Sequence, residues 1–182
     1  MSKPAVFLDR DGTLNEQMGY INHVSRFFLL PGSAEAIRLL NKNGRLAIVV
    51  SNQSGVARGY FPIEVVEEVH AHMRTLLKKE DALLDGILFC PHSPSAGCGC
   101  RKPRTGLIEK ACEDFDIDLS NSHVIGDRSS DIEMAARANL KGILVETGYG
   151  LGEIHHVLPY KAVRPVYVAK DLLHAVRWIL EE

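Results

Sequence analysis

Apolar residues fall into two alternating patterns along this chain. Short, nearly all-apolar runs occupy positions 5–8, 46–50, 86–90, 123–125, 142–145 and 166–168. Runs of that length without polar alternation predict strands buried on both faces. Between them, apolar residues recur at helical spacing. Positions 32–43 carry Ala36, Ile37, Leu39 and Leu40, and Gly44 marks the stop. Pro62 opens a long helix over 63–79, with Val65, Val66, Val69, Met73, Leu76 and Leu77 on one face. Further helices are predicted over 105–115 with Thr105 as cap, over 130–138, and over 171–180 behind the acidic cap Asp171. Cys112 and Trp178 are expected to pack in the core. Irregular chain is expected over 10–30, 91–104 and 147–165. Strand–helix alternation of this kind implies an α/β fold: a parallel sheet sandwiched by helices, with right-handed crossovers.

Composition narrows the classes. The 182 residues suit one domain spanning 1–182, and 46% apolar with 24% charged residues is the balance of an ordinary globular chain. The net charge of -2 and pI near 6.4 argue against a basic nucleic-acid-binding face. No apolar run approaches the roughly 20 residues that span a bilayer, and Met1 to Pro4 leads into the first strand without a signal-peptide cleavage pattern. A cytoplasmic monomer acting on a small soluble substrate, with no nucleic-acid or membrane partner, is therefore expected. In that reducing setting the four cysteines read as thiols or metal ligands rather than disulfides.

In open parallel sheets, ligands bind beyond the carboxyl ends of the strands, and there the polar residues of this sequence collect. Residues 5–8 run into Asp9-Arg10-Asp11-Gly12-Thr13, residues 46–50 into Ser51-Asn52-Gln53-Ser54-Gly55, and residues 123–126 into Asp127-Arg128-Ser129-Ser130-Asp131. Arg101-Lys102 follows the third run after a cysteine-rich loop. This set suits phosphoryl transfer. Asp9 can attack phosphorus as a carboxylate nucleophile. Asp11 can protonate the leaving oxygen and then activate water. Asp9 and Asp127 are hard oxygen ligands for Mg2+, with a backbone carbonyl near Asp11 as a third. Ser51 and Lys102 can hold the equatorial phosphoryl oxygens. Taken singly, Asp-x-Asp-Gly is more often a turn, Ser51 a cap, Lys102 a solvated charge, and Asp127 or Asp131 a helix cap. Four such segments in order, each after an apolar run, make coincidence the poorer account.

Those segments resemble the haloacid dehalogenase superfamily of phosphatases, through Asp9-x-Asp11-Gly12-Thr13, Ser51-Asn52, Lys102 and Gly126-Asp127-x-x-x-Asp131. The resemblance covers nearly the whole chain. It implies a Rossmann-like core, an Mg2+-dependent phospho-aspartate mechanism and a second-layer role for Asp131. Asp11 and Ser51 stand only 40 positions apart, so no separate cap domain fits between them.

Cys90-Pro91-His92 and Cys98-Gly99-Cys100 repeat one i, i+2 spacing on a single loop. Such pairs can form a closed Cys3His zinc site, which would order the loop presenting Arg101 and Lys102. With Gly19-Tyr20 and Gln53-Ser54-Gly55, the loop resembles the heptose bisphosphate phosphatases, with the histidinol-phosphate phosphatases as near relatives. That resemblance implies heptose metabolism serving lipopolysaccharide, and substrate contacts from Gln17, Met18, Gly19, Tyr20, Ser51, Asn52, Gln53, Ser54, Arg101 and Arg128. Position 128 is Arg where Lys is common. Arg58, Arg101, Arg104 and Arg128 near the rim favour a sugar bisphosphate over histidinol phosphate, whose ammonium calls for a carboxylate; solvated charge is the default for Arg58 and Arg104. A phospho-receiver signalling domain, a zinc-dependent nucleic-acid module and a DNA-end phosphatase are the rival readings. Adjacent His155 and His156 are given no role.

Overall fold

The computed structural model describes residues 2–182. Six strands form one parallel sheet in the order β3-β2-β1-β4-β5-β6. They are β1 (Ala5–Leu8), β2 (Leu46–Asn52), β3 (Gly86–Cys90), β4 (His123–Gly126), β5 (Lys141–Val145) and β6 (Tyr167–Ala169). Successive residues of β1 serve opposite faces, as the strand period requires. Val6 and Leu8 pack with α1 (Ser33–Lys42), α2 (Ile63–Lys79) and α6 (Leu172–Glu181). Ala5 and Phe7 pack with α3 (Gly106–Asp114) and α4 (Ser129–Arg137). The chain steps outward from β1 to β2 and β3, then crosses back to place β4 on the other side of β1. Because crossovers keep one hand, that reversal moves α3 and α4 to the opposite face. It also opens a crevice where β1 and β4 end, the usual ligand site of this architecture.

Several local expectations are corrected. β2 continues through Ser51 and Asn52, which pair with Phe89 and Cys90, so these two polar residues belong to the strand itself. Thr105 does stand at the N-cap of α3, but its side chain makes no capping bond; its hydroxyl donates to Glu109 at 2.6 Å instead. Cys112 is exposed, because it sits on the solvent side of α3 while Leu107, Ile108 and Ala111 face inward. Trp178 is half-buried and stacks on Tyr167 at 4.9 Å over the sheet edge. Stretch 147–165 is not irregular throughout: α5 (Gly150–Gly152) continues into a π turn and a 3-10 turn ending at Tyr160. Stretch 10–30 holds only a 3-10 turn and isolated bridges, so no cap domain rises there. Among the described residues, no helix is long and apolar enough to cross a membrane.

The inner face of α2 contains one polar interruption. Among Val66, Val69, Met73 and Leu77 stands His70, only 7% exposed, with its ring edge-on to Phe89 at 5.3 Å. Its Nε2 lies 3.1 Å from Nη1 of Arg10, itself 1% exposed. Arginine carries donors only, so His70 accepts here and is neutral. Burial, reinforced by the Arg10 charge, lowers its pKa from 6.5 to about 3.

Two outcomes are expected. Phe7 is fully buried at the sheet centre, so Phe7→Ala should lower unfolding free energy by about 3–5 kcal/mol in urea titrations. For His70, the unfolded chain binds more protons than the native one between pH 6.5 and about 3. The stability from keeping it neutral is complete above pH 6.5 and is lost as pH falls through that window. His70→Gln should therefore lose less stability than the parent between pH 7 and pH 4 in the same titration.

Candidate active site

The first loop turns tightly beyond β1. The Asp9 N–H donates to Ile125 O at 2.9 Å, extending the β1–β4 ladder by one bond and fixing where its side chain emerges. Asp9 Oδ1 then accepts from the Arg10 N–H at 2.7 Å and pairs with Lys102 Nζ at 2.8 Å. The Leu14 and Asn15 N–H groups fold back on Arg10 O. Gly12 turns with φ 89°, and a Cβ there would stand 2.1 Å from Asp127 Oδ2. Gly148, φ 59°, leaves the matching space on the far side. Two glycines thus let the loops after β1 and β5 close on Asp127, whose Oδ2 accepts from the Tyr149 N–H at 2.8 Å.

Lys102 is buried and donates to three acceptors, the full capacity of an ammonium. These are Asp9 at 2.8 Å, Asp131 at 2.7 Å and Val50 O at 3.0 Å. Its backbone is held by a reciprocal pair with the Asn52 side chain, at 3.1 and 3.2 Å. Burial alone would lower its pKa, but Asp131 and Asp9 outweigh burial and hold it above the ordinary lysine value. Asp131 is doubly employed: Oδ1 pairs with Lys102, and Oδ2 caps α4 by accepting from the Arg128 N–H at 3.1 Å.

Asp9, Asp127 and Asp131 converge so that one oxygen from each lies within 4.8 Å of the others. One ammonium cannot neutralise three carboxylates. Burial, opposed by Lys102, pushes Asp9 up to about 6. Burial, with the charges of Asp9 and Asp131, pushes Asp127 up to about 8. Asp127 Oδ1 is buried with no hydrogen-bond partner. An orphaned oxygen among unneutralised carboxylates fits a hard divalent cation. The carboxylate of Asp11 stands outside this group. It accepts from Arg10 at 2.9 and 3.0 Å, from Asn15 at 3.0 Å and from Gln53 at 2.8 Å. Gln53 also approaches Ser51 Oγ at 2.7 Å, linking the β1 loop to β2.

Beyond β3, Cys90, His92, Cys98 and Cys100 draw together with donor atoms within 4.8 Å of one another. Cys98 Sγ lies 3.6 Å from both Cys90 Sγ and Cys100 Sγ, and His92 Nδ1 lies 3.5 and 3.3 Å from Cys90 and Cys100. Four donors at bond lengths of about 2.0–2.3 Å around a tetrahedral zinc stand roughly 3.5–3.8 Å apart, so the cluster matches the edges of such a site. It anchors the segment that carries Arg101 and Lys102.

The strand ends enclose a cavity of about 340 Å3. Asp9, Asp11, Ser51 and Lys102 form its floor, and Gln17, Gly19, Tyr20, Asn52, Gln53, Ser54, Arg101 and Arg128 line it as the sequence suggested. Met18 is not part of the lining: its side chain packs on the core and its carbonyl accepts from Arg26 at 2.8 Å. Arg58 does line the cavity, whereas Arg104 is exposed and turns to Cys98 O. Tyr149 was not foreseen; its ring lies 4.3 Å beneath the Arg128 guanidinium. Arg10 and His70 were also missed, although an arginine between two strand-end aspartates was a legible signal.

Comparison with known proteins agrees with this geometry. A family model described as "HAD-hyrolase-like" matches residues 99–175. The chain is 42% identical to the D-glycero-D-manno-heptose-1,7-bisphosphate 7-phosphatase of Thermosynechococcus vestitus, over 98% of this chain and 96% of that one. It is 40% identical to the D-glycero-beta-D-manno-heptose-1,7-bisphosphate 7-phosphatase of Escherichia coli K12, over 81% of each. The crystal structure of D,D-heptose 1,7-bisphosphate phosphatase from B. bronchiseptica, complexed with magnesium and phosphate, superposes with a TM-score of 0.89 at 31% identity, covering 98% of both chains. With near-complete coverage at this identity, the chain belongs to the haloacid dehalogenase-like hydrolases, in the family of the heptose bisphosphate phosphatases.

Proposed function

We propose that this phosphatase hydrolyses the 7-phosphate of D-glycero-D-manno-heptose 1,7-bisphosphate, releasing heptose 1-phosphate and inorganic phosphate. Asp9 is the nucleophile: its carboxylate oxygen bonds to phosphorus as the sugar oxygen departs. Asp11, protonated for this step, gives its proton to that oxygen and then, as a carboxylate, takes one from the water that cleaves the phospho-aspartate. Ser51 holds a phosphoryl oxygen, and Lys102 keeps Asp9 ionised and aimed, trading one of its three present acceptors for a phosphoryl oxygen when substrate binds. Mg2+ held by Asp9 and Asp127, with the Asp11 backbone carbonyl, would supply charge neutralisation for the transferring group. Zinc held by Cys90, His92, Cys98 and Cys100 would be structural, since four protein ligands leave no open position.

The charge of the cavity wall carries the substrate reading. Beyond Asp9 and Asp11 its lining includes no acidic side chain, while Arg58, Arg101 and Arg128 all belong to it. A second phosphate on the substrate suits three guanidinium groups. The ammonium of histidinol phosphate would meet them without a carboxylate partner. Names carried by relatives at 38–42% identity support the same substrate. An aspartate beside the nucleophile, placed to activate water, favours turnover over the stable phospho-aspartate of a receiver domain.

The expected kinetics are specific. Purified enzyme should hydrolyse the heptose bisphosphate with far higher kcat/KM than histidinol phosphate or phosphorylated DNA ends; the reverse order would remove the substrate assignment. Asp9→Asn should abolish turnover in a phosphate-release assay while leaving circular dichroism unchanged. EDTA should stop the reaction and Mg2+ restore it. Metal analysis should find about one zinc per chain, and Cys98→Ser should lower both zinc content and turnover.

A further inference from the structure

We infer that Arg10 and His70, two buried residues outside the cavity lining, aim the Asp11 carboxylate and so act as positioning residues in the proton transfers of the reaction. The inference rests on the acid/base role proposed for Asp11.

The side chain of Arg10 is among the most buried in the protein, at 1% exposure. Burying a guanidinium is costly unless its donors are matched. Arg10 matches them in two directions. Nε and Nη2 reach Asp11 Oδ1 at 3.2 and 3.0 Å, and Nη2 also reaches Oδ2 at 2.9 Å. Nη1 reaches His70 Nε2 at 3.1 Å. Since a guanidinium only donates, that nitrogen of His70 bears no proton, and its burial keeps the ring neutral. His70 occupies a position on α2 where the helical period calls for an apolar residue. A well-packed apolar pair would satisfy the core at least as well as a buried cation and its acceptor. The polar pair gains meaning from what it holds.

What it holds is one orientation of Asp11. Arg10 grips both carboxylate oxygens, while Asn15 at 3.0 Å and Gln53 at 2.8 Å approach from other directions. Gln53 ties this arrangement to Ser51 at 2.7 Å. The backbone N–H of the same Arg10 holds Asp9 Oδ1 at 2.7 Å. A single residue therefore sets the nucleophile through its main chain and the acid/base group through its side chain. When the phosphorus–oxygen bond to the sugar breaks, the proton on Asp11 moves to the departing oxygen. When water attacks the phospho-aspartate, a proton of that water returns to Asp11 and Asp9 leaves as carboxylate. Both transfers need Asp11 in the same place.

Leaving-group dependence tests this, because p-nitrophenolate departs without a proton and a sugar alkoxide does not. Arg10→Lys keeps the charge but loses the two-pronged grip, and His70→Leu removes the acceptor. Each should lower kcat on the heptose bisphosphate by about 100-fold, with KM changed less than about threefold. In stopped-flow with p-nitrophenyl phosphate, both should still release the first equivalent of p-nitrophenol in a burst, followed by slow turnover. His70→Gln, which retains an acceptor, should recover most of the loss. Equal losses in the burst and in sugar turnover, or no loss at all, would overturn the inference. Recovery of both variants only in unfolded form would overturn it too, by making the pair a folding element. Asp11→Asn separates the two readings: if it retains sugar turnover, the acid/base role itself fails; if it loses turnover while Arg10→Lys does not, only the positioning role fails.

Discussion

The site depends on an imbalance of charge: three carboxylates share one ammonium beyond the ends of β1 and β4. Lys102 supplies everything an ammonium can give, to Asp9, Asp131 and Val50 O. Asp127 receives no hydrogen bond from it, and one of its oxygens has no hydrogen-bond partner. In a buried setting such charges repel strongly, because little water screens them. The fold sustains the arrangement by building it into the sheet. Asp9 is one residue past a central strand, Asp127 one residue past its neighbour, and Asp131 caps the helix that follows. Dense backbone bonding holds together what electrostatics alone would push apart, and the stored repulsion is what a divalent cation would relieve.

A second constraint governs how Lys102 arrives there. It lies on the long connection between β3 and α3, a stretch with no regular structure of its own. Two devices tie it down. The Cys3His cluster gathers the start of the connection against the end of β3, where Cys90 pairs with Asn52. The Asn52 side chain then takes both backbone groups of Lys102. With zinc bound, these three cysteines and the imidazole would do for a loop what a helix or strand does for Asp9 and Asp127. Arg101, carried on the same segment, lines the cavity, so the device that orders the floor also sets part of the rim.

Arg128 rests over Tyr149 and lies 3.9 Å from Glu153, while Tyr20 meets Tyr60 edge-on at 4.8 Å. Aromatic faces steady cationic side chains without neutralising them. Such a rim can bind an anionic, hydroxyl-rich substrate without a cap domain, with the deep end reserved for the phosphoryl group to be transferred.

The sequence by itself determined the sheet, its helices and the chemistry at its edge. Each rests on local pattern: apolar runs for β1 to β5, helical spacing for α1 and α2, and polar residues waiting at the strand ends. The zinc-type cluster was legible for the same reason, as two identical spacings on one loop. Tertiary structure decided what local pattern does not encode. Cys112 faces solvent because the rotation of α3 is set by packing against the sheet, and the hydroxyl of Thr105, at the N-cap, turns to Glu109 because that acceptor lies one helical turn away. Met18 turns inward and Arg58 turns toward the cavity because the 10–30 and 53–61 loops are shaped by contacts distant in sequence. Arg10 and His70 meet across 60 positions, and only the docking of α2 beside β1 makes a neutral histidine the acceptor for a buried guanidinium. Period and motif fix which residues lie near the site; the direction each side chain takes follows from packing that only the folded chain contains.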